Sequence, residues 1–271
     1  MKKLSGVLIS WNEEAKIGAA LQSLKEVCDE IVVVDSFSRD RTEEICRAFT
    51  DRFYQRKWEG YVKQKQAAVD LARNDWILSL DADEKLSPEL STEISCWKQE
   101  DSSEAVGFRI PRLTYFLGRF IYHTTWHPDY QIRLFRRSKR SWEGGRLHES
   151  FHPDGPVLKL KNPILHFTYA SVSEYLVQLE RFSTLAAADY HERGRQAGIA
   201  RILFYPPLVF LKNYLVKKGF LDGIPGVAVS FLSAASTFFN YLKLWELQHG
   251  LIRQEEEWDR TTPTQHPKQG R

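Results

Sequence analysis

The stretch WILSLDADEKLSPEL (residues 76–90) ends an apolar run with three carboxylates in four positions. Residues 76–80 have the composition of a buried strand, and Asp81, Asp83 and Glu84 follow directly. Ser87-Pro88 then supplies the residue types of a helix N-cap and a first helical position. The stretch therefore predicts a core strand that ends at a polar edge and leads into a helix.

The residues before this stretch predict how the strand is surrounded. Residues 4–10 and 30–36 are apolar, β-branched runs, which is the composition of parallel strands buried on both faces. Residues 13–27 and 61–72 have helical spacing of apolar side chains. Strands that alternate with helices predict an α/β fold with a mostly parallel, Rossmann-like sheet and flanking helices.

Polar side chains follow three of the predicted strands. In such sheets, ligands bind beyond the carboxyl ends of the strands. Two neighbouring carboxylates suit Mg²⁺ or Mn²⁺, which complete their coordination with phosphate oxygens and water, and such a cation stabilises a diphosphate leaving group. The alternative is that the acids only cap the following helix. The polar residues at these three ends are Ser10, Trp11, Asn12 and Glu13, then Asp35 and Ser36, then Asp81 and Asp83.

Composition places the 271-residue chain among globular proteins, with a net charge of +3. Its three cysteines lack CxxC spacing, so a disulfide framework or a zinc site is not expected and a reduced, cytoplasmic setting fits. The apolar start is interrupted at Asn12, so a signal peptide is not expected either.

Three parts are predicted along the chain. Residues 1–168 are predicted to form one α/β domain with two parts (1–100 and 101–168), before a C-terminal helical extension (169–250) and a polar tail (251–271). Pro206-Pro207 is expected to start a helix. No membrane-spanning helix is expected, because no run of 18 apolar residues occurs. Basic amphipathic helices at 206–248 predict peripheral contact with the inner face of the membrane; the alternative is packing on the catalytic domain or on a second subunit.

Ordered motifs give the chain a resemblance to a known family. The segments ISWNEEAKI (9–17), IVVVDSFSRDRTEEI (31–45) and GYVKQKQAAVDLARNDWILSLDADE (60–84) resemble family 2 glycosyltransferases of the GT-A fold. The segments DYQIRLFRR (129–137), GRLHES (145–150) and GFLDG (219–223) extend the resemblance to lipopolysaccharide inner-core glucosyltransferases. It covers about residues 4–250.

The resemblance implies inverting transfer from a nucleotide-sugar donor, with a UDP-sugar expected. It makes residues 1–168 the catalytic domain, with a donor half (1–100) and an acceptor half (101–168). It assigns Asp81 and Asp83 to the metal and the diphosphate, and His148 is considered as a further metal ligand. Ser36 and Phe37 depart from the family pattern, which has an acid and a glycine there. Donor binding is expected from Ser10, Trp11, Asn12, Glu13, Asp35, Lys65, Asp81 and Asp83.

Inverting transfer needs a base that removes the proton of the acceptor hydroxyl. Glu149 is the first candidate and Asp129 the second. The alternative for Glu149 and His148 is a structural hydrogen-bonded pair at a loop end.

Residues 109–146 contain nine Lys or Arg and two acids, a local excess of seven positive charges. One interpretation of this charge excess is a basic face exposed to solvent. The other is a surface for an anionic, lipid-linked glycan, since Arg binds phosphate and carboxylate in a fork geometry; the expected ligands are Arg133, Arg136 and Arg146. The predicted reaction transfers a hexose, glucose, to a lipopolysaccharide inner-core sugar. The alternatives are another surface glycan, a polyprenyl phosphate, or a non-enzymatic polyanion-binding protein. Nucleic acid is not the expected partner, because it would give Asp81 and Asp83 no role.

Overall fold

A computed structural model describes residues 1–100, 104–144, 149–169 and 171–251, and the side chains in these ranges other than those of residues 140–153. The strands are β1 (Leu4–Ser10), β2 (Glu30–Asp35), β3 (Phe53–Gln55), β4 (Trp76–Ser79), β5 (Glu84–Leu86), β6 (Gly107–Phe116), β7 (Arg119–Phe120), β8 (Asp129–Arg136), β9 (Arg140–Gly144), β10 (Glu149–Pro153), β11 (Val157–Lys159) and β12 (Ile164–His166). The α-helices are α1 (Ile17–Val27), α2 (Thr42–Arg47), α3 (Tyr61–Leu71), α4 (Pro88–Gln99), α5 (Val172–Glu192), α6 (Ile199–Leu211) and α7 (Gly223–Gln248).

One large sheet organises the molecule, with the strand order β3-β2-β1-β4-β8-β6-β12-β5. The first four strands are parallel, and β8 then pairs antiparallel with both β4 and β6. Ser10 is in register with Asp35, and the Leu80 N–H donates to the Val7 carbonyl at 3.1 Å. The ends of β1, β2 and β4 therefore lie side by side. The predicted α/β fold with flanking helices and a C-terminal helical extension is confirmed, and its sheet is parallel over the first four strands and mixed beyond them.

The central strands are buried on both faces, as their composition predicts. Along β1, Leu4 and Leu8 belong to one apolar cluster and Val7 to the other. The first cluster includes α1 and α4, and the second includes α3. Ser87 caps α4 by accepting from the Leu90 N–H at 3.1 Å, with Pro88 in the first turn. These contacts fix the segments that leave β1 and β4 at the polar edge.

The C-terminal helices pack beside the second half of the sheet. Tyr175 and Leu179 of α5 and Val229 of α7 share a buried cluster with Phe116 of β6. The predicted helix start at Pro206-Pro207 is wrong, because both prolines lie inside α6. The helix continues through a π-turn, Lys212–Val216, before a 3₁₀ turn, Gly219–Asp222, leads into α7.

Two helical segments are longer and more apolar than the sequence pattern predicts. Ile199–Val216 and Gly219–Gln248 are each long and apolar enough to cross a membrane, by length and composition alone. The difference arises because polar residues interrupt the apolar runs without interrupting the helices. Most residues of the first segment are exposed, whereas the second is partly buried against its neighbours.

Candidate functional site

The ends of β1 and β2 are held together by a buried carboxylate. Asp35 is fully buried; its Oδ1 accepts from the Ser10 hydroxyl at 2.8 Å, and its Oδ2 accepts from the Ser38 N–H at 2.7 Å. Asn12, with φ +53°, accepts from the Arg39 N–H at 2.8 Å through its side chain. The structure therefore brings Ser10, Asn12 and Asp35 together, and all three shape the loops that border the polar edge.

Phe37 occupies a conformation that favours glycine. Its φ is +59°, in the left-handed region, and its ring is exposed next to the Asp35 loop. Phe37 therefore takes a backbone conformation that suits glycine, and it adds an exposed aromatic surface beside Asp35. Trp11, the other aromatic residue of this edge, is half-buried.

Asp81 forms ion pairs with two cationic side chains. Lys65 Nζ lies 3.0 Å from Asp81 Oδ1, and Arg133 Nη2 lies 2.5 Å from Oδ2. Burial acts to raise the pKa of Asp81, but Arg133 and Lys65 outweigh it and hold the pKa well below its usual range. Asp81 is therefore an ionised group with both oxygens engaged by the protein.

Asp83 has a different partner, His166 at the end of β12. His166 Nε2 lies 3.4 Å from Asp83 Oδ2, and the Asp83 carbonyl accepts from the Phe167 N–H at 2.9 Å. Burial acts to raise the pKa of Asp83, but His166 lowers it below its usual value. An ionised carboxylate beside an imidazole is a ligand pair compatible with Mn²⁺, and with Mg²⁺ when phosphate and water supply the other ligands.

No group of three or more His, Cys, Asp or Glu side chains in the described part of the chain is close enough to hold a metal ion. We call the end of β4 with Asp81, Asp83 and the neighbouring His166 the acidic corner. Within it, the Asp83–His166 pair has the chemistry to bind a cation. Sequence reasoning missed His166. It is 83 positions beyond Asp83 and reaches the site only because β12 pairs with β5, where His166 is in register with Glu84.

Glu13 brings the first loop to the same corner. Its pKa is raised from 4.5 to about 7, first by burial and then by the neighbouring Asp83 carboxylate, with Asp40 and Asp81 adding to the effect and Lys16 opposing it. Tyr169 also lies near Asp83; burial, Tyr175 and Asp83 raise its pKa. The carboxylates predicted from separate motifs therefore share one electrostatic environment.

A buried ionic network lies behind the corner. Glu84 is almost fully buried; it accepts from the Asp81 N–H at 3.0 Å and pairs with Arg133 Nη2 at 2.7 Å. Arg112 Nη1 lies 3.5 Å from Glu84, and Arg112 Nε donates to Asp129 at 2.8 Å. The network connects Asp81 to the start of β8.

Asp129, the second candidate for the base, is held by this network. Its carboxylate accepts from Arg112 and from Gln131 Nε2, the latter at 2.7 Å. Burial acts to raise the pKa of Asp129, but Arg112 and Gln131 lower it below its usual value. A carboxylate with a lowered pKa is a weaker proton acceptor.

Two of the three predicted acceptor ligands, Arg133 and Arg136, are described, and they do not lie on one surface. The Arg133 side chain is buried on Asp81 and Glu84. Arg136 is in register with Trp76, at the opposite end of β4 from the acidic corner, and its guanidinium lies 5.2 Å from the Trp76 ring. Along a strand, residues three positions apart point to opposite faces. Arg146, His148 and the Glu149 side chain lie outside the described residues, although the Glu149 backbone begins β10.

Comparison with known proteins gives the family. Residues 5–152 match the model of glycosyl transferase family 2. The chain belongs to this family. It is 32% identical to a lipopolysaccharide core biosynthesis glycosyltransferase, LpsC, of Rhizobium meliloti over 87% of this chain and 92% of the relative. It is 30% identical to an uncharacterised glycosyltransferase of Rickettsia typhi over 91% of this chain and 88% of the relative.

Solved glycosyltransferase structures are more distant from this family 2 glycosyltransferase. TarS of Staphylococcus aureus in complex with UDP-GlcNAc is 14% identical, covers 92% of both chains and has a TM-score of 0.45. The mannosyltransferase PcManGT from Pyrobaculum calidifontis, in complex with GDP-Man and Mn²⁺, is also 14% identical, covers 92% of this chain and 79% of its own, and has a TM-score of 0.47. Family membership and the sheet described above identify the GT-A fold.

Proposed function

We propose that this family 2 glycosyltransferase transfers glucose from a UDP-sugar to an inner-core sugar of lipopolysaccharide, with inversion at the anomeric carbon. The observation that carries the proposal is the assembly of Asp81 and Asp83 beside the ends of β1 and β2, in a chain of this family. The lipopolysaccharide acceptor is supported by the 32% identity to a core biosynthesis enzyme.

The donor half binds and orients the nucleotide sugar in this proposal. Trp11 and Phe37 offer aromatic surfaces for the base, and the Ser10–Asp35–Ser38 hydrogen bonds fix the loops around it. Asp83 and His166 would hold the divalent cation, which when bound neutralises charge on the diphosphate leaving group. Lys65, paired with Asp81 at 3.0 Å, places a further positive charge at this edge.

Proton removal from the acceptor is assigned to Glu149, with Asp129 as the alternative. The pairing of Asp129 with Arg112 supports this order, because a base must be able to accept a proton in the transition state. Replacing each with its amide separates the two. Glu149→Gln should abolish sugar transfer while donor binding remains. Asp129→Asn should weaken both sugar transfer and donor binding, because the ion pair with Arg112 is lost.

We place the reaction at the cytoplasmic face of the membrane, where a nucleotide sugar meets a lipid-linked acceptor. A polyprenyl phosphate is the alternative acceptor, because the exposed apolar helices fit any lipid-linked substrate. A non-enzymatic polyanion-binding protein is disfavoured by membership in an enzyme family.

The test is product formation. Purified protein is incubated with UDP-glucose, Mn²⁺ and either a truncated lipopolysaccharide core or a polyprenyl phosphate, and the product is examined by mass spectrometry and by NMR of the new anomeric proton. Addition of one hexose to the core with inverted configuration, lost in Asp83→Asn, is expected. Transfer to the polyprenyl phosphate alone would identify that lipid, and not the lipopolysaccharide core, as the acceptor. Retention of configuration would overturn the proposed inverting mechanism.

A further inference from the structure

The α6–α7 hairpin carries a row of exposed apolar side chains that continues from one helix into the next. On α6 and its π-turn, Phe204, Leu208, Leu211 and Leu215 are all about half or more exposed and recur at helical spacing on one face. On α7, Ile224, Val227 and Phe231 repeat the pattern. Val216, Phe220 and Leu221 are exposed in the turn between them. We call this set, residues 204–231, the hairpin face.

Cationic residues border the hairpin face. Lys212, Lys217 and Lys218 are exposed in the turn, and the part of the chain that the structure describes shows no acidic side chain paired with them. Residues 199–231 contain one acidic residue, Asp222, and it is buried and pairs with His123, not with these lysines. An apolar surface with a cationic border is complementary to an anionic lipid bilayer, where apolar rings enter the acyl boundary and lysines remain among phosphates.

The hairpin is fixed to the catalytic domain by buried polar contacts. Asp222 is fully buried; it accepts from the His123 N–H at 2.8 Å, and His123 Nδ1 lies 3.0 Å from its other oxygen. Asn213, also fully buried, accepts from the Thr125 N–H at 2.8 Å. These contacts hold one side of the hairpin turn against loop 121–128. They favour a surface-bound arrangement over a spanning one, because this loop would otherwise have to enter the hydrocarbon.

The same loop leads to the candidate site. His127 Nδ1 lies 3.0 Å from the Arg112 carbonyl, and Arg112 contacts both Asp129 and Glu84. The hairpin is therefore attached to the acceptor side of the acidic corner. A membrane bound at the hairpin face would be held in a fixed orientation to that side.

From these observations we infer that the hairpin face docks this protein peripherally on an anionic lipid bilayer. The occupant is the phospholipid surface itself, recognised by apolar insertion and by the lysine border. The inference goes beyond the transfer reaction and does not need it, since vesicle binding is measured without donor or acceptor.

The experiment is flotation of the full chain with vesicles of phosphatidylethanolamine and phosphatidylglycerol, and with vesicles of phosphatidylcholine. Binding to the anionic vesicles that weakens with salt is expected. Phe204→Glu with Phe231→Glu should lower the partition coefficient by about tenfold or more, given the transfer free energy of two aromatic rings. Lys212→Glu with Lys217→Glu should lower it about tenfold on anionic vesicles only.

Controls of the same kind lie elsewhere on the surface. Leu158→Glu changes an exposed apolar residue of β11, and Arg73→Glu with Lys161→Glu reverses two exposed cations that lie outside both the hairpin and the basic segment 109–146. All three changes should leave flotation unaltered. The inference would be overturned if the control variants lost flotation to the same extent, or if the wild-type protein bound neither kind of vesicle.

Two further outcomes would assign the hairpin face a role other than docking on a lipid surface. Wild-type protein that is a dimer by light scattering, and becomes monomeric with Phe204→Glu and Phe231→Glu, would assign the hairpin face to a second copy. Protein that resists alkaline extraction from the vesicles would make the hairpin an inserted segment. Either result overturns peripheral docking, and neither affects the sugar-transfer assay in solution.

Discussion

Asp81 and Asp83 lie two positions apart in sequence and have different neighbours. Asp81 is engaged by Lys65 and Arg133, whereas Asp83 faces His166. The sequence predicts that both carboxylates lie at the end of β4, because local motifs and the parallel strand order determine it. Lys65 is expected there from the family resemblance. His166 and Arg133 arrive from strands far along the chain. No local pattern specifies their pairing, so their contacts could not be predicted.

Arg133 tests how the buried network holds Asp81. Arg133→Leu should lower the free energy of unfolding by about 3 kcal/mol or more, because Asp81 and Glu84 remain buried with one partner fewer. Arg136→Leu on the same strand removes a partly exposed guanidinium and should lower it by about 1 kcal/mol or less. Urea unfolding of both variants measures the contrast. Equal losses would mean that the network does not hold Asp81 in place.

Glu13 gives the corner a pH dependence in protein kept metal-free with a chelator. Its folded-state pKa, about 7, lies above the ordinary 4.5, so the folded state holds a proton that the unfolded state releases. This contribution to stability is present below pH 4.5 and is lost as the pH rises through about 7. A glutamine side chain does not titrate, so the Glu13→Gln variant lacks this pH-dependent contribution to stability.

The stability of Glu13→Gln relative to the wild type should therefore rise between these two pH values, by about 2 kcal/mol for a partly buried group. Denaturant unfolding of both proteins along a pH series measures the difference, in which all shared titrations cancel. A difference that stays constant with pH would contradict the raised pKa of Glu13.

At the scale of elements, one of the two helix starts predicted from proline agrees with the structure and the other does not. Ser87-Pro88 begins α4, as its capping residues predict. Pro206-Pro207 has the same type of signal but lies inside α6, where the carbonyls of Ile202 and Leu203 lose their helical donors. Proline favours a helix start without enforcing one, and tertiary packing against α7 decides the outcome.

The junction of the hairpin depends on close backbone approach at Gly226. A Cβ there would lie 1.8 Å from the Gly219 carbonyl oxygen and 2.9 Å from Asp222 Cβ. Gly226→Ala should therefore lower the free energy of unfolding by about 2–3 kcal/mol. Gly18→Ala in α1 meets only Ile45, at 3.7 Å, and should raise it by up to about 1 kcal/mol through helix propensity. Chemical denaturation of the two variants compares them, and a loss at both sites would show that the clash is not the cause.

At the scale of the whole molecule, the parallel half of the sheet follows from its alternating pattern, but the mixed half does not. Strands β6, β8 and β12 come from segments rich in Arg and aromatic residues, and their order is set by long-range pairing. This half supplies His166, Arg112 and Arg133 to the corner. The site is therefore a joint product of both halves, and ligand binding should stabilise them together.

Donor binding tests that coupling. UDP with Mn²⁺ at about a hundred times its dissociation constant should add about 2.7 kcal/mol to the free energy of unfolding, which raises Tm by about 5 °C or more for a chain of this size. The increase should be seen in one cooperative transition, because Asp83 belongs to the first half and His166 to the second. Scanning calorimetry with UDP alone, Mn²⁺ alone and both together measures it. His166→Ala and Asp83→Asn should each remove the part of the shift that needs Mn²⁺ and leave the smaller effect of UDP alone. A metal-dependent shift that persists in both variants would mean that this pair does not hold the cation.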